Sequence, residues 1–150
     1  MSFSGGCQCG AVRFRVDGEL GEASICHCRM CQKATGGLFG PYVSVKLAEL
    51  VWTRGERKRF QSSNKVWRGF CDACGTPLTF EYQSESAPIG LAIGALDDPT
   101  AAPPTEQLGS PSKLPWVDTL PNLPVHEPTE PRAAVHLAGI VSLQHPDHDT

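Results

Sequence analysis

The sequence predicts a mainly β fold: antiparallel sheets, short helical turns and a Pro-rich C-terminal arm. Three observations carry that expectation. Apolar and polar residues alternate with a period of two through several short segments, the pattern of half-buried strands. Fifteen glycines and thirteen prolines in 150 residues mark a loop-rich chain with little long helix. Seven cysteines fall into short knuckles, Cys7 and Cys9, Cys26, Cys28 and Cys31, and Cys71 and Cys74, spaced as metal knuckles between strands are.

Taken in order, Gly5 to Gly10 is a glycine-flanked knuckle around Cys7 and Cys9, where positive φ and close amide–sulfur approach are needed. From Ala11 to Asp17, apolar Val12, Phe14 and Val16 alternate with polar Arg13, Arg15 and Asp17, which predicts a strand. Asp17-Gly18 turns, and Glu22–Cys26 is expected to return antiparallel to that strand. Arg29–Ala34 allows one or two helical turns, ended by Gly36 and Gly37. Leu38–Val45 reads as a strand in which Pro41 marks an edge or a bulge. Lys46–Glu49 is a turn or short helix, and Leu50–Thr53 another strand. Lys65–Phe70 is a strand running into the Cys71/Cys74 knuckle, and Thr76–Tyr82 alternates on Leu78, Phe80 and Tyr82 as the next. Ile89–Leu96 is a nearly unbroken apolar run, the candidate for a buried central strand.

Ten of the thirteen prolines lie at position 99 or beyond, so regular structure should be sparse there. Trp116 is expected to dock its indole on the sheet, and Trp52 and Trp67 to belong to the core. The expected organisation is one domain over residues 1–125 and an arm over 126–150. Residues 1–75 carry eleven Lys/Arg against six Asp/Glu, residues 76–150 two against ten. An acidic chain without a series of stacking aromatics beside its one basic cluster does not suit nucleic acid. No apolar run is long enough to span a membrane and no leader pattern opens the chain, which gives a cytoplasmic reading. Thiols there stay reduced, and an odd number of them argues against a closed disulfide framework. Metal binding or thiol chemistry is what remains.

Cys26, Cys28 and Cys31 supply three sulfurs from one short segment, each able to reach a metal ion at about 2.3 Å. Three ligands leave a tetrahedral ion one position short, which in zinc chemistry separates a catalytic site from a structural one. The competing reading is a second structural site, closed by a fourth protein ligand. Two imidazoles near the end of the chain, His145 and His148, are candidates for that ligand, in their own chain or a neighbour's; the plainer expectation is a frayed terminus. His27, between two of the cysteines, is expected to turn away from the metal by alternation, against a role in ligation or proton transfer. Arg57, Lys58 and Arg59 could attract a carboxylate-bearing ligand or simply guard a solvated strand edge.

Three stretches, Gly6-Cys-Gln-Cys-Gly-Ala-Val-Arg-Phe14, Cys26-His-Cys-Arg-Met-Cys-Gln-Lys33 and Phe70-Cys-Asp-Ala-Cys-Gly-Thr-Pro-Leu78, resemble the glutathione-dependent formaldehyde-activating enzyme family, also called the centromere protein V-like domain family. The resemblance runs over about residues 3–125, with Ser112–Trp116 similar to the family's C-terminal element. It implies an Mss4-like, tent-shaped β fold around two zinc sites. By that resemblance Cys7, Cys9, Cys71 and Cys74 form the closed structural site, and Cys26, Cys28 and Cys31 the catalytic one. A clip from residue 9 to residue 71 closes a loop of about sixty residues, where the entropic gain is larger. The activity implied is a carbon–sulfur lyase reaction run backwards, joining glutathione, or another small thiol, to formaldehyde or another small aldehyde. The alternative is a zinc-stabilised binding module without catalysis, since relatives of this fold act as chaperone or cytoskeletal partners.

Overall fold

The computed structural model describes residues 1–150 apart from Glu85 and Pro128, and apart from the side chains of Arg132 and Ala133. In chain order the elements are β1 (Ser2–Gly6), β2 (Arg13–Asp17), β3 (Ala23–Cys26), α1 (Arg29–Thr35), β4 (Gly40–Val45), β5 (Leu50–Arg54), β6 (Lys58–Ser63), β7 (Val66–Phe70), β8 (Pro77–Tyr82), β9 (Ile89–Ala92), β10 (Glu106–Leu108) and α2 (Pro131–Leu137), with short 3₁₀ turns between them. They make a three-stranded sheet, β1-β2-β5, and a seven-stranded sheet, β10-β3-β4-β9-β8-β7-β6. All pairings are antiparallel except β10 with β3. The fold is mainly β, with the cysteine clusters at its loops.

Alternation places Phe14 and Val16 of β2 on the buried side, where they join Val43, Leu78 and Leu91 of the larger sheet in one core. Removing each such side chain from water contributes about 1.5–3 kcal/mol. Ile89–Ala92 is the fourth of seven strands, the central one; Ile93–Ala95 continues the apolar run as a buried 3₁₀ turn.

Several expectations are corrected. β3 does not return along β2: the two lie in different sheets, and β3 pairs with β4 and β10. The turn is opened by Gly21 N–H donating to Ser44 O and Ser44 N–H to Glu22 O, which hand the chain to β4 instead. Pro41 marks neither an edge strand nor a bulge. It sits in an interior strand where the β9 partner has ended, since the β4–β9 pairing stops at Tyr42 with Ala92, so no ladder bond is lost there. β8 buries Thr79 and Glu81 on one face while Tyr82, on the other, is exposed. Three elements lacked a sequence expectation: β1, β10 and α2. Trp116 does not dock: it is 47% exposed, while Trp52 and Trp67 are half-buried.

Two ion pairs are largely withdrawn from solvent. Arg13, 2% exposed, donates Nη1–H to Asp97 Oδ1 at 2.8 Å and Nη2–H to Asp97 Oδ2 at 2.6 Å. Arg57 grips Glu81 the same way at 2.7 and 2.8 Å, with Thr79 donating its hydroxyl to the same carboxylate. Burial pushes both carboxyls up, but the hydrogen bonds from Arg13 and Ser4, and from Arg57 and Thr79, win and hold them below the usual range. A depressed folded pKa means stability that is present above the ordinary carboxylate values of about 4 and lost as pH falls through the depressed ones. Asp97→Ala is expected to cost about 3–5 kcal/mol in denaturant unfolding at pH 7, because it strands a buried guanidinium. That loss should shrink below pH 4; an equal loss at pH 3 and pH 7 would contradict the pairing.

Candidate metal centres

The first cluster joins the two sheets. Cys7 and Cys9 lie in the β1–β2 loop of the small sheet, Cys71 and Cys74 in the β7–β8 loop of the large one. The four sulfurs lie within 4.8 Å of one another. Cys7 Sγ is 3.5 Å from Cys9 Sγ, which is 3.9 Å from Cys71 Sγ. A zinc ion bound at about 2.3 Å to four sulfurs needs edges of about 3.8 Å, so the cage fits. Val12 N–H donates to Cys7 Sγ at 3.2 Å, and the Thr76 hydroxyl lies 3.1 Å from Cys74 Sγ. Burial pushes the Cys71 thiol up to about 12.

The second cluster is local. Cys26 ends β3, Cys28 is the N-cap of α1 and Cys31 sits in its first turn; their sulfurs also lie within 4.8 Å of one another. Cys28 Sγ accepts Cys31 N–H at 3.3 Å, and Gly36, in the left-handed conformation, ends the helix. Gly109 closes over the segment at φ 67°, so near that a Cβ would meet Cys28 N at 2.7 Å; only glycine fits. Burial pushes the Cys31 thiol up to about 12, with an Arg68 N–H to its sulfur pulling the other way. Cys26 and Cys31 open on a groove of about 310 Å³ whose other walls include Tyr42, Phe80, Glu22 and Glu106.

The described residues thus bring together two cysteine groups that could hold metal ions, one of four sulfurs and one of three. The family profile described as glutathione-dependent formaldehyde-activating enzyme matches residues 2–109, a stretch that contains all seven cysteines. The chain belongs to this family. A crystal structure of a Rhodobacter sphaeroides protein is similar in fold: TM-score 0.55 at 23% identity, covering 69% of this chain and 98% of that one. The family match ends at residue 109, before Ser112–Trp116.

Within this family member the other candidates fall into place. His27 is fully buried and turned from the cluster, its Nε2 2.9 Å from Gln107 Oε1 and its ring edge-on to Phe39. Arg57 and Arg59 share Glu81, and Lys58 is exposed on the edge strand β6; none lines the groove. The chain end does fold back, but to the other site. His145 N–H donates to Gln8 O at 2.7 Å, its ring lies over Gly10, and Arg13 donates to His148 O at 2.9 Å. So within one chain neither imidazole joins Cys26, Cys28 and Cys31, and the terminus is docked rather than frayed. Two residues had no place in the sequence reading: Tyr42, which lines the groove, and Arg68, which reaches Cys31 from behind it. Only their side-chain geometry singles them out: Arg68 donates to Cys31 Sγ at 3.3 Å and to the Tyr42 hydroxyl at 3.0 Å. Among the described residues, no helix is long and apolar enough to cross a membrane.

Proposed function

We propose that this chain is a zinc-dependent enzyme of the carbon–sulfur lyase type that joins a thiol such as glutathione to a small aldehyde such as formaldehyde. Cys7, Cys9, Cys71 and Cys74 would hold a structural zinc, and Cys26, Cys28 and Cys31 the catalytic one. The observation that carries the reading is the three-sulfur cluster, two of whose cysteines, Cys26 and Cys31, line a groove. Zinc, when bound, supplies acidity: a coordinated thiol loses its proton near neutral pH.

The reaction adds S–H across C=O. The carbon–sulfur bond forms, the carbonyl π pair moves to oxygen, and a proton ends on that oxygen. Tyr42 is the proposed proton donor: its hydroxyl accepts from Arg68 and can give its own proton to the aldehyde oxygen, and the proton released by the thiol then restores the phenol. Phe80 and Tyr82 give the groove apolar walls, and Glu22 and Glu106 suit the ammonium group of a thiol such as glutathione. Exchange NMR between glutathione and its formaldehyde adduct tests the reading. Zinc-loaded protein should speed the exchange in proportion to its concentration, and Tyr42→Phe should slow the catalysed part about 100-fold. Exchange at the uncatalysed rate whatever the protein concentration would overturn it.

A further inference from the structure

Arg68 stands apart from the other buried arginines. It is 3% exposed, and burying a cation without an anion is very costly. Arg13 has Asp97 and Arg57 has Glu81, each in a two-pronged pair. Among the described residues, no carboxylate pairs with Arg68. Its Nε–H goes to Ser62 Oγ at 2.9 Å, Nη1–H to the Tyr42 hydroxyl at 3.0 Å and Nη2–H to Cys31 Sγ at 3.3 Å, and its guanidinium lies 5.0 Å above the Phe80 ring. Two hydroxyls and a ring position the fork but carry no charge. Of these contacts the sulfur is the one that a bound metal ion would turn into an anion.

We propose that Arg68 is the charge partner of the three-cysteine site, the residue that lets it accept an anionic fourth ligand. The inference rests on the reading that Cys26, Cys28 and Cys31 hold a divalent metal. Three thiolates and a divalent ion carry a net charge of −1, which Arg68 cancels. A neutral fourth ligand leaves that balance untouched, whereas a thiolate brings one more negative charge into a half-buried place. The four-cysteine site meets its own negative charge differently, through exposed Cys9 and the hydrogen-bonding partners of Cys7 and Cys74. Arg68 therefore sets which kind of ligand the open position prefers: a thiolate over an uncharged imidazole.

The test uses the full chain loaded with cobalt(II), titrated with 2-mercaptoethanol and, separately, with imidazole, for wild type, Arg68→Met and Arg68→Lys. Met keeps the apolar stem against Phe80 and removes the charge; Lys keeps the charge and loses the fork. Should the Met protein not fold, Arg68→Gln takes its place under the same expectations. The expected result is a loss of about tenfold or more in thiol affinity for the uncharged variants, with imidazole affinity nearly unchanged and most thiol affinity kept by Lys. Cobalt bound at the four-cysteine site should be unaltered throughout. Equal losses for thiol and imidazole, a Lys variant as weak as Met, a fall at both metal sites, or wild-type thiol affinity in Arg68→Met would each overturn the proposal. A wild-type chain that takes up only one metal ion would instead defeat the reading beneath it.

Discussion

Cys71→Ser is expected to leave a chain that no longer folds stably at ordinary temperature. Cys71 is fully buried and, with Cys74, is the large sheet's contribution to a cage whose other half comes from the small sheet. A bound structural zinc is worth about 10–16 kcal/mol in apparent terms, as much as the whole stability of a typical domain, about 5–15 kcal/mol. Serine offers an oxygen that stays protonated and so does not replace a thiolate. Zinc content and a circular-dichroism melt measure the effect together. The variant should lose at least one equivalent of zinc and its cooperative transition; a protein that keeps both equivalents and its melting temperature would show that this cluster does not hold the fold.

Cys28→Ser is expected to do the opposite, sparing the fold and abolishing the chemistry. Cys28 caps a helix of seven residues, and serine is itself a favoured N-cap, so α1 should persist. All three cysteines of the site belong to one short segment, so the site does not clip distant stretches of the chain together as the four-cysteine cage does. Substitutions of residues that merely support metal ligands cost about 10–100-fold in affinity, so losing a ligand should cost at least about 100-fold. Thiol–aldehyde exchange should then fall to the uncatalysed rate while the melting temperature stays within a few degrees of wild type. An insoluble Cys28→Ser protein would make the site structural.

The division of the cysteines followed from a family likeness, and the geometry groups them the same way; only the Cys26, Cys28 and Cys31 set is local enough for spacing alone to suggest it. The strand around Phe14 was legible because alternation of side chains is written residue by residue, and the one around Leu91 because its apolar run is unbroken. What was not legible depends on distant partners. β3 left β2 because Ser44, twenty residues on, offered better bonds to Gly21 and Glu22. β10 is three exposed residues that exist as a strand only because the β3 edge is there to pair with. β1 is built largely of serine and glycine and shows no apolar alternation, and its place is fixed by β2 and by Leu96 across from Gly5. At the candidate site Arg68 looked like one more strand arginine. Its meaning lies in meeting a sulfur thirty-seven positions away with no carboxylate beside it, which no spacing rule encodes.

The central claim is that one metal site is closed by protein and the other is open. X-ray absorption on the zinc-loaded chain tests it most directly, because it counts sulfur neighbours per zinc. Two zinc ions held by four and three cysteines should average about 3.5 sulfurs, rising to about 4 when a thiol fills the open position. One zinc per chain, or a sulfur count that saturating thiol leaves unchanged, would contradict it.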